Sequence, residues 1–218
     1  MELPNFFTYF LSRTEVIFML VIHPNEKRTS LARAIYADLK VRVVAPEHYN
    51  RGIGQTLLQT PTDELILMIG YGDSHGLYLH RYSEEIRITP SMLDNPTGFQ
   101  GIGACMKRYV VSNLHADSLR RHNGNIIGIW PGAIEFAQHN MLHGLFTDNF
   151  VYNRVDAERL GTITLDMYID EANLTLYHTL GKLINQHVQL CKIPDLLAEN
   201  ICEKPSMIRV NYESFTWL

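Results

Sequence analysis

The sequence predicts an α/β fold of three layers, α-β-α, built on a mainly parallel sheet and followed by C-terminal helices. Two observations carry this. Segments 16–23, 41–45, 64–70 and 125–130 are almost continuously apolar and rich in β-branched residues, as strands covered on both faces are. The stretches between the first three are short and patterned as helices. The chain therefore starts β-α-β-α-β, the signature of parallel strands joined by crossover helices.

Each element has its own reason. Val16 to His23 is the first strand, and His23-Pro24-Asn25 ends it. Ser30 is placed to cap a helix through Leu39, with Leu31, Ala34, Ile35 and Leu39 toward one face. Val41 to Ala45 is a second strand, closed by Pro46. A weaker helix runs from Ile53 to Thr60 before the break at Thr60-Pro61-Thr62. Glu64 to Gly70 is the third strand. Leu77, Leu79, Ile86 and Ile88 then alternate around a polar middle, which reads as a hairpin rather than a crossover. Residues 90–108, with Pro90, Pro96 and several glycines, read as an insertion loop ahead of a short strand at Tyr109 to Val111.

Asn113 can cap a helix over Leu114 to Arg121, and Asn123-Gly124 turns the chain into the fourth core strand, Asn125 to Trp130. Pro131 and Gly132 open a helix from Ala133 to Leu142, with Gly144 as its C-terminal cap. Leu174, Tyr177, Leu180, Ile184, Val188 and Cys191 recur at helical spacing, with Cys191 and Cys202 expected on apolar faces. Pro194-Asp195 starts another helix to about Cys202. Ile208, Val210 and Tyr212 alternate as a closing strand or extended tail. The whole, 1–218, reads as one domain, with 1–15 an N-terminal extension and 166–218 a C-terminal helical extension and tail.

Composition narrows the function. With 46% hydrophobic and 19% charged residues over 218 positions, the chain is long enough for one sizeable core. No apolar run reaches the ~18 residues of a transmembrane helix. Arg13 and Glu15 interrupt the apolar stretch Phe6 to Ile22, which argues against a signal peptide. The net charge of −4, without a Lys/Arg block, argues against a nucleic-acid partner. Cys105, Cys191 and Cys202 are too few and too odd for a disulfide framework and read as reduced thiols of a cytoplasmic protein.

In open α/β sheets, ligands gather at the carboxyl ends of strands. Two loops qualify: Gly70-Tyr71-Gly72-Asp73-Ser74-His75-Gly76 after the third strand, and Trp130-Pro131-Gly132 after the fourth. The first contains a literal G-x-S-x-G at Gly72, Ser74 and Gly76, which in a serine hydrolase presents the nucleophile on a strand-to-helix turn. Here residues 77–88 read as extended, so that context is missing. Gly70-x-Gly72 and Gly52-x-Gly54 lack the strand-turn-helix setting of a phosphate cradle. Glu135, His139 and His143 share one helical stripe, and two histidines one turn apart can bind zinc, but a site needs three or four ligands. Pairing of Glu135 with His139 is the simpler expectation. No metal or cofactor is expected.

The order of elements, with these two loops, resembles a compact caspase-like (clan CD, CHAT-type) fold. It is most similar to a family of uncharacterised bacterial proteins of about this length. The pieces that carry the resemblance are Val21-Ile22-His23-Pro24, Ile69-Gly70-Tyr71-Gly72, Tyr109-Val110-Val111, Asn125-Ile126-Ile127-Gly128-Ile129-Trp130, Gly144-Leu145-Phe146-Thr147 and Asn211-Tyr212-Glu213. The resemblance implies a catalytic histidine in the first loop and a catalytic cysteine after the tryptophan. Position by position, these fall on Tyr71 and Pro131, so both members of the dyad are missing. In a shifted register, Ser74-His75-Gly76 supplies His75 as a base, with Cys105 as the nearest thiol in sequence. The expectation is a degenerate enzyme acting as an interaction or regulatory module on a protein or peptide partner, without membrane contact. Tyr71, Gly72, Trp130, Pro131 and Gly132 are expected to line the former cleft. The alternative is a hydrolase, through Cys105 and His75 or through Ser74.

Overall fold

The computed structural model describes residues 18–46, 52–79, 108–161, 164–199 and 206–218. The insertion at 90–107, the extension at 1–15, Ile86, Ile88, Cys105 and Cys202 lie outside them.

A six-stranded sheet has the order β2-β1-β3-β7-β8-β9. Its strands are β1 (Met19–Ile22), β2 (Val41–Val44), β3 (Leu65–Ile69), β7 (Ile126–Ile129), β8 (Leu145–Thr147) and β9 (Phe215–Trp217). All pairings are parallel except β8 with β9. The four strands expected from sequence are thus adjacent and parallel. A second, antiparallel sheet joins β4 (Tyr71–Asp73), β5 (Gly76–Leu79) and β6 (Arg108–Ser112) in that order.

Period-two alternation splits the core into two layers. Met19, Val21, Leu67, Ile69, Ile127 and Ile129 face one side, against Ile35 of the 3-10 segment Lys27–Ile35 and the C-terminal helices. Those helices are α5 (Asp166–Asn185), α6 (Ile193–Glu199) and α7 (Ser206–Glu213). Leu20, Ile22, Ile66, Met68 and Ile126 face the other side. They meet α1 (Gly52–Gln59), α2 (Ala116–Arg120), α3 (Ala133–His139) and the small sheet through Ile53, Leu57, Leu119, Phe136 and Leu77. Helices on both faces make the three layers.

Several local expectations are corrected. Ser30 does not cap a helix: the segment begins at Lys27 as a 3-10 helix, and the Ser30 hydroxyl donates back to Lys27 O at 2.7 Å. Such i−3 bonds compete with a regular α start. The hairpin turns at Ser74-His75, and β5 pairs onward with β6, which begins at Arg108, a position assigned to the insertion. The helix expected from Asn113 begins as a 3-10 turn, Asn113–His115, and the Ser112 amide donates to His115 Nδ1 at 3.2 Å. Helix α3 stops at His139, and Gly144 is not its cap. A β-carbon at 144 would lie 2.3 Å from Ile126 O, so the glycine allows close approach of β7. Residues 208–212 lie in α7, not in a strand. Ile208 and Tyr212 are four apart, a spacing that fits a helix as well as alternation fits a strand. Leu174 is 37% exposed on α5, and Cys191 is exposed beyond it rather than in the core.

Tyr177 of α5 is buried, and its hydroxyl has no hydrogen-bond partner among the described residues. An unmet buried hydroxyl costs free energy that an isosteric apolar group does not. Tyr177→Phe is therefore expected to stabilise the fold by about 1 kcal/mol in urea titration. A loss of similar size would show that the hydroxyl is in use.

Candidate functional site

Strands β3 and β7 end level with each other, with Ile69 opposite Ile129. The two loops that follow therefore leave the sheet side by side at its carboxyl edge. They are locked together. The Gly70 amide donates to Ile129 O at 3.2 Å, and the Trp130 indole N–H donates to Asp73 O at 3.2 Å. A β-carbon on Gly72 would lie 2.0 Å from Trp130 Cδ1, so only glycine lets the indole seat there. Gly132, with φ of 82°, takes a left-handed conformation that favours glycine, and a β-carbon there would lie 2.9 Å from Ser74 N. Its amide donates to Asp148 O at 2.8 Å. Thr147, at the end of β8, fixes the backbone of Trp130 from both sides: its hydroxyl accepts from Trp130 N and donates to Trp130 O, each at 3.0 Å.

Gly72, Ser74, Trp130 and Gly132 thus converge, and the two loops are in contact there. Trp130 is fully buried in one core layer with Phe136. Tyr71 is buried in the other layer. Pro131 and Gly132 are half-buried. Tyr71 packs on Tyr152, ring centroids 5.2 Å apart, and its hydroxyl accepts from Asn153 Nδ2 at 3.1 Å and from the Arg28 side chain. Burial, with the Asp156 carboxylate nearby, pushes the Tyr71 hydroxyl up to about 12, so it keeps its proton near neutrality and cannot serve as a base. Pro131 carries no nucleophile.

His75 sits away from Tyr71, on the exposed tip of the β4–β5 hairpin, its side chain 78% exposed. The tip is built around Asp73, which accepts from the His75 amide at 2.8 Å and from the Tyr109 hydroxyl at 3.0 Å. Burial and then Asp73 push the Tyr109 hydroxyl up to about 12. Ser74 Oγ lies 3.5 Å from His75 Nδ1, and Asp73 Oδ1 lies 3.5 Å from the same nitrogen. A catalytic triad needs the serine and the acid on opposite ring nitrogens. Strand β5 also follows where a nucleophile turn requires a helix.

Cys191 is the one cysteine among the described residues, and it lies at the opposite, amino edge of the sheet. There it borders a groove of about 510 Å³ with Leu65, Asn125 and Trp217. Glu135, His139 and His143 do not share a helical stripe, because α3 ends before His143. No ion pair joins Glu135 to His139, and no group of three or more potential metal ligands occurs among the described residues.

The sequence reading missed Tyr152, Asn153 and Asp156. The buried Tyr152 hydroxyl lies 2.8 Å from Ile129 O and 3.0 Å from Gly70 O, so its proton bridges the ends of β7 and β3. Asn153 caps α4 (Arg154–Arg159) by accepting from the Val155 and Asp156 amides, and its Nδ2 donates to Asp156 Oδ2 at 2.8 Å. Burial raises the Asp156 carboxyl above its ordinary value. Asn153 ahead of a helix was a readable cap signal. Its reach to Tyr71, 82 residues away, was not. Comparison with protein-family models, curated proteins and solved structures finds no match. No helix of the described residues is long and apolar enough to cross a membrane.

Proposed function

We propose that the chain is a degenerate caspase-like protein of a bacterial, cytoplasmic type, whose former active-site edge serves interaction or regulation with a protein or peptide partner. One observation carries this reading. Adjacent parallel strands end in the two loops where such a fold would hold its dyad, and those positions carry Tyr71 and Pro131. Acyl transfer needs an activated nucleophile and a base beside it. A buried, protonated phenol and a proline supply neither. The close seating of Gly72 on Trp130 and of Gly132 on Asp73-Ser74 supports the same reading, because these contacts occupy the space between the two loops.

The test is chemical labelling of the intact protein. Peptidyl acyloxymethyl-ketone and fluorophosphonate probes are expected to leave Cys105 and Ser74 unmodified, and peptide substrates are expected to show no turnover. Labelling of Cys105 that disappears in His75→Ala would establish a relocated dyad. Fluorophosphonate adduct on Ser74 would establish a serine hydrolase. Either result overturns the proposal.

A further inference from the structure

We propose that His23 is an acid-sensitive latch: its neutral imidazole ties both ends of the 3-10 segment Lys27–Ile35 to the carboxyl end of β1. The inference goes beyond the degenerate-peptidase reading and does not depend on it.

The imidazole is buried directly after β1, and its backbone amide donates to Val44 O of β2 at 3.0 Å. Nε2 lies 3.0 Å from Thr29 Oγ1, and Nδ1 lies 2.9 Å from the Tyr36 hydroxyl. The Thr29 hydroxyl donates onward to Glu26 O at 3.4 Å, so toward His23 it acts as acceptor. The latch as proposed places the hydrogen on Nε2, with Nδ1 accepting from Tyr36. The chain of donors runs one way, Tyr36 to His23 to Thr29 to the Glu26 carbonyl, and it is complete only for neutral histidine. Thr29 stands near the start of the segment and Tyr36 just past its end. One ring thus clamps the whole segment.

Protonation would put a second N–H on Nδ1 and turn the Tyr36 proton away. It would also leave a buried cation beside Arg33. The charged and titratable groups at the ring come from the segment and its end, Arg33 and Tyr36, with the Glu26 carbonyl in the preceding turn. At this level stand Ala45, just past the end of β2, and Ile69 of β3. Helix α5 packs on the segment through Leu180 and Gly181, while His178, Lys182 and Asp38 line the shallow outer pocket between them. Burial first, and Arg33 second, lower His23 from 6.5 to about 4, against an opposing hydrogen bond to the Thr29 backbone.

The sign follows from linkage. The folded value lies below the unfolded one, so the neutral ring contributes its full stability above about pH 6.5 and loses it as pH falls toward 4. Between pH 7.5 and 5 this group alone lowers the folding constant by about 30-fold. The test combines three measurements on the full chain. In an imidazole NMR titration, His23 is expected to remain the Nε2–H tautomer down to pH 5. In urea unfolding, His23→Gln is expected to lose about 30-fold less of its folding constant than wild type over that pH range. Amide exchange, corrected for intrinsic rates, is expected to accelerate at residues 27–36 below pH 5. A His23 that titrates at 6.5 or above, equal pH slopes for wild type and variant, or unchanged exchange would each overturn the latch. If His23→Gln does not fold, the wild-type titration and exchange still decide.

Discussion

Gly72→Ala is expected to destabilise the protein by about 3 kcal/mol, the upper end of the usual cost of overpacking. The added methyl would sit 2.0 Å from Trp130 Cδ1 and 2.5 Å from its Cγ. The indole has nowhere to go. It is fully buried, its N–H is held by Asp73 O at 3.2 Å, and the Phe136 ring lies 5.7 Å away. Relief therefore needs backbone movement of the β4 loop. In a domain of this size the loss corresponds to a Tm lower by roughly 6–12 °C. A Tm within one degree of wild type would show that the two loops are not in contact. Trp130→Leu in the Gly72→Ala background is expected to recover part of the loss, because the clash disappears with the ring.

Asn211→Ala is expected to cost about 3 kcal/mol by leaving buried groups unpaired. Asn211 Oδ1 accepts from the Val151 amide at 2.7 Å, and Nδ2 donates to Val151 O at 2.8 Å and to Asn173 Oδ1 at 2.6 Å. Asn173 in turn donates to Val151 O at 2.9 Å. One backbone position is thereby fastened to α5 and α7 at once. Alanine leaves the Val151 N–H without its partner in the interior. The same loop carries Tyr152 and Asn153, so the effect should extend to the ends of β3 and β7. Urea titration checks the magnitude, and Asn149→Ala is the control. Asn149 is exposed and bonds its neighbour Asp148, and its loss is expected to cost under about 0.5 kcal/mol. Equal losses for the two variants would show that Asn211 is no anchor.

The parallel core is legible in the sequence because Val16 to His23 and Glu64 to Gly70 are apolar on both faces, as strands of a sheet covered on both sides are. Strand β8 was harder. Leu145–Thr147 is three residues long and has no alternation to detect. Residues 206–213 misled because an apolar residue at every second position also places Ile208 and Tyr212 one helical turn apart. At the site, the loops were legible as strand ends. Their side chains were not, because Tyr71 and Trp130 enter opposite layers. Which layer a loop residue enters depends on partners such as Asn153 and Gly72, brought together only by the fold.

The seating of Trp130 also equips the molecule with an optical reporter. The chain has two tryptophans. Trp130 is sealed at the carboxyl edge of the sheet, and Trp217, 37% exposed, borders the groove at the amino edge. A soluble quencher such as acrylamide reaches the second and not the first. The unquenched emission then belongs to the indole that spans the two loops, so the integrity of the candidate site can be followed by fluorescence in the unlabelled protein, separately from events at the far edge.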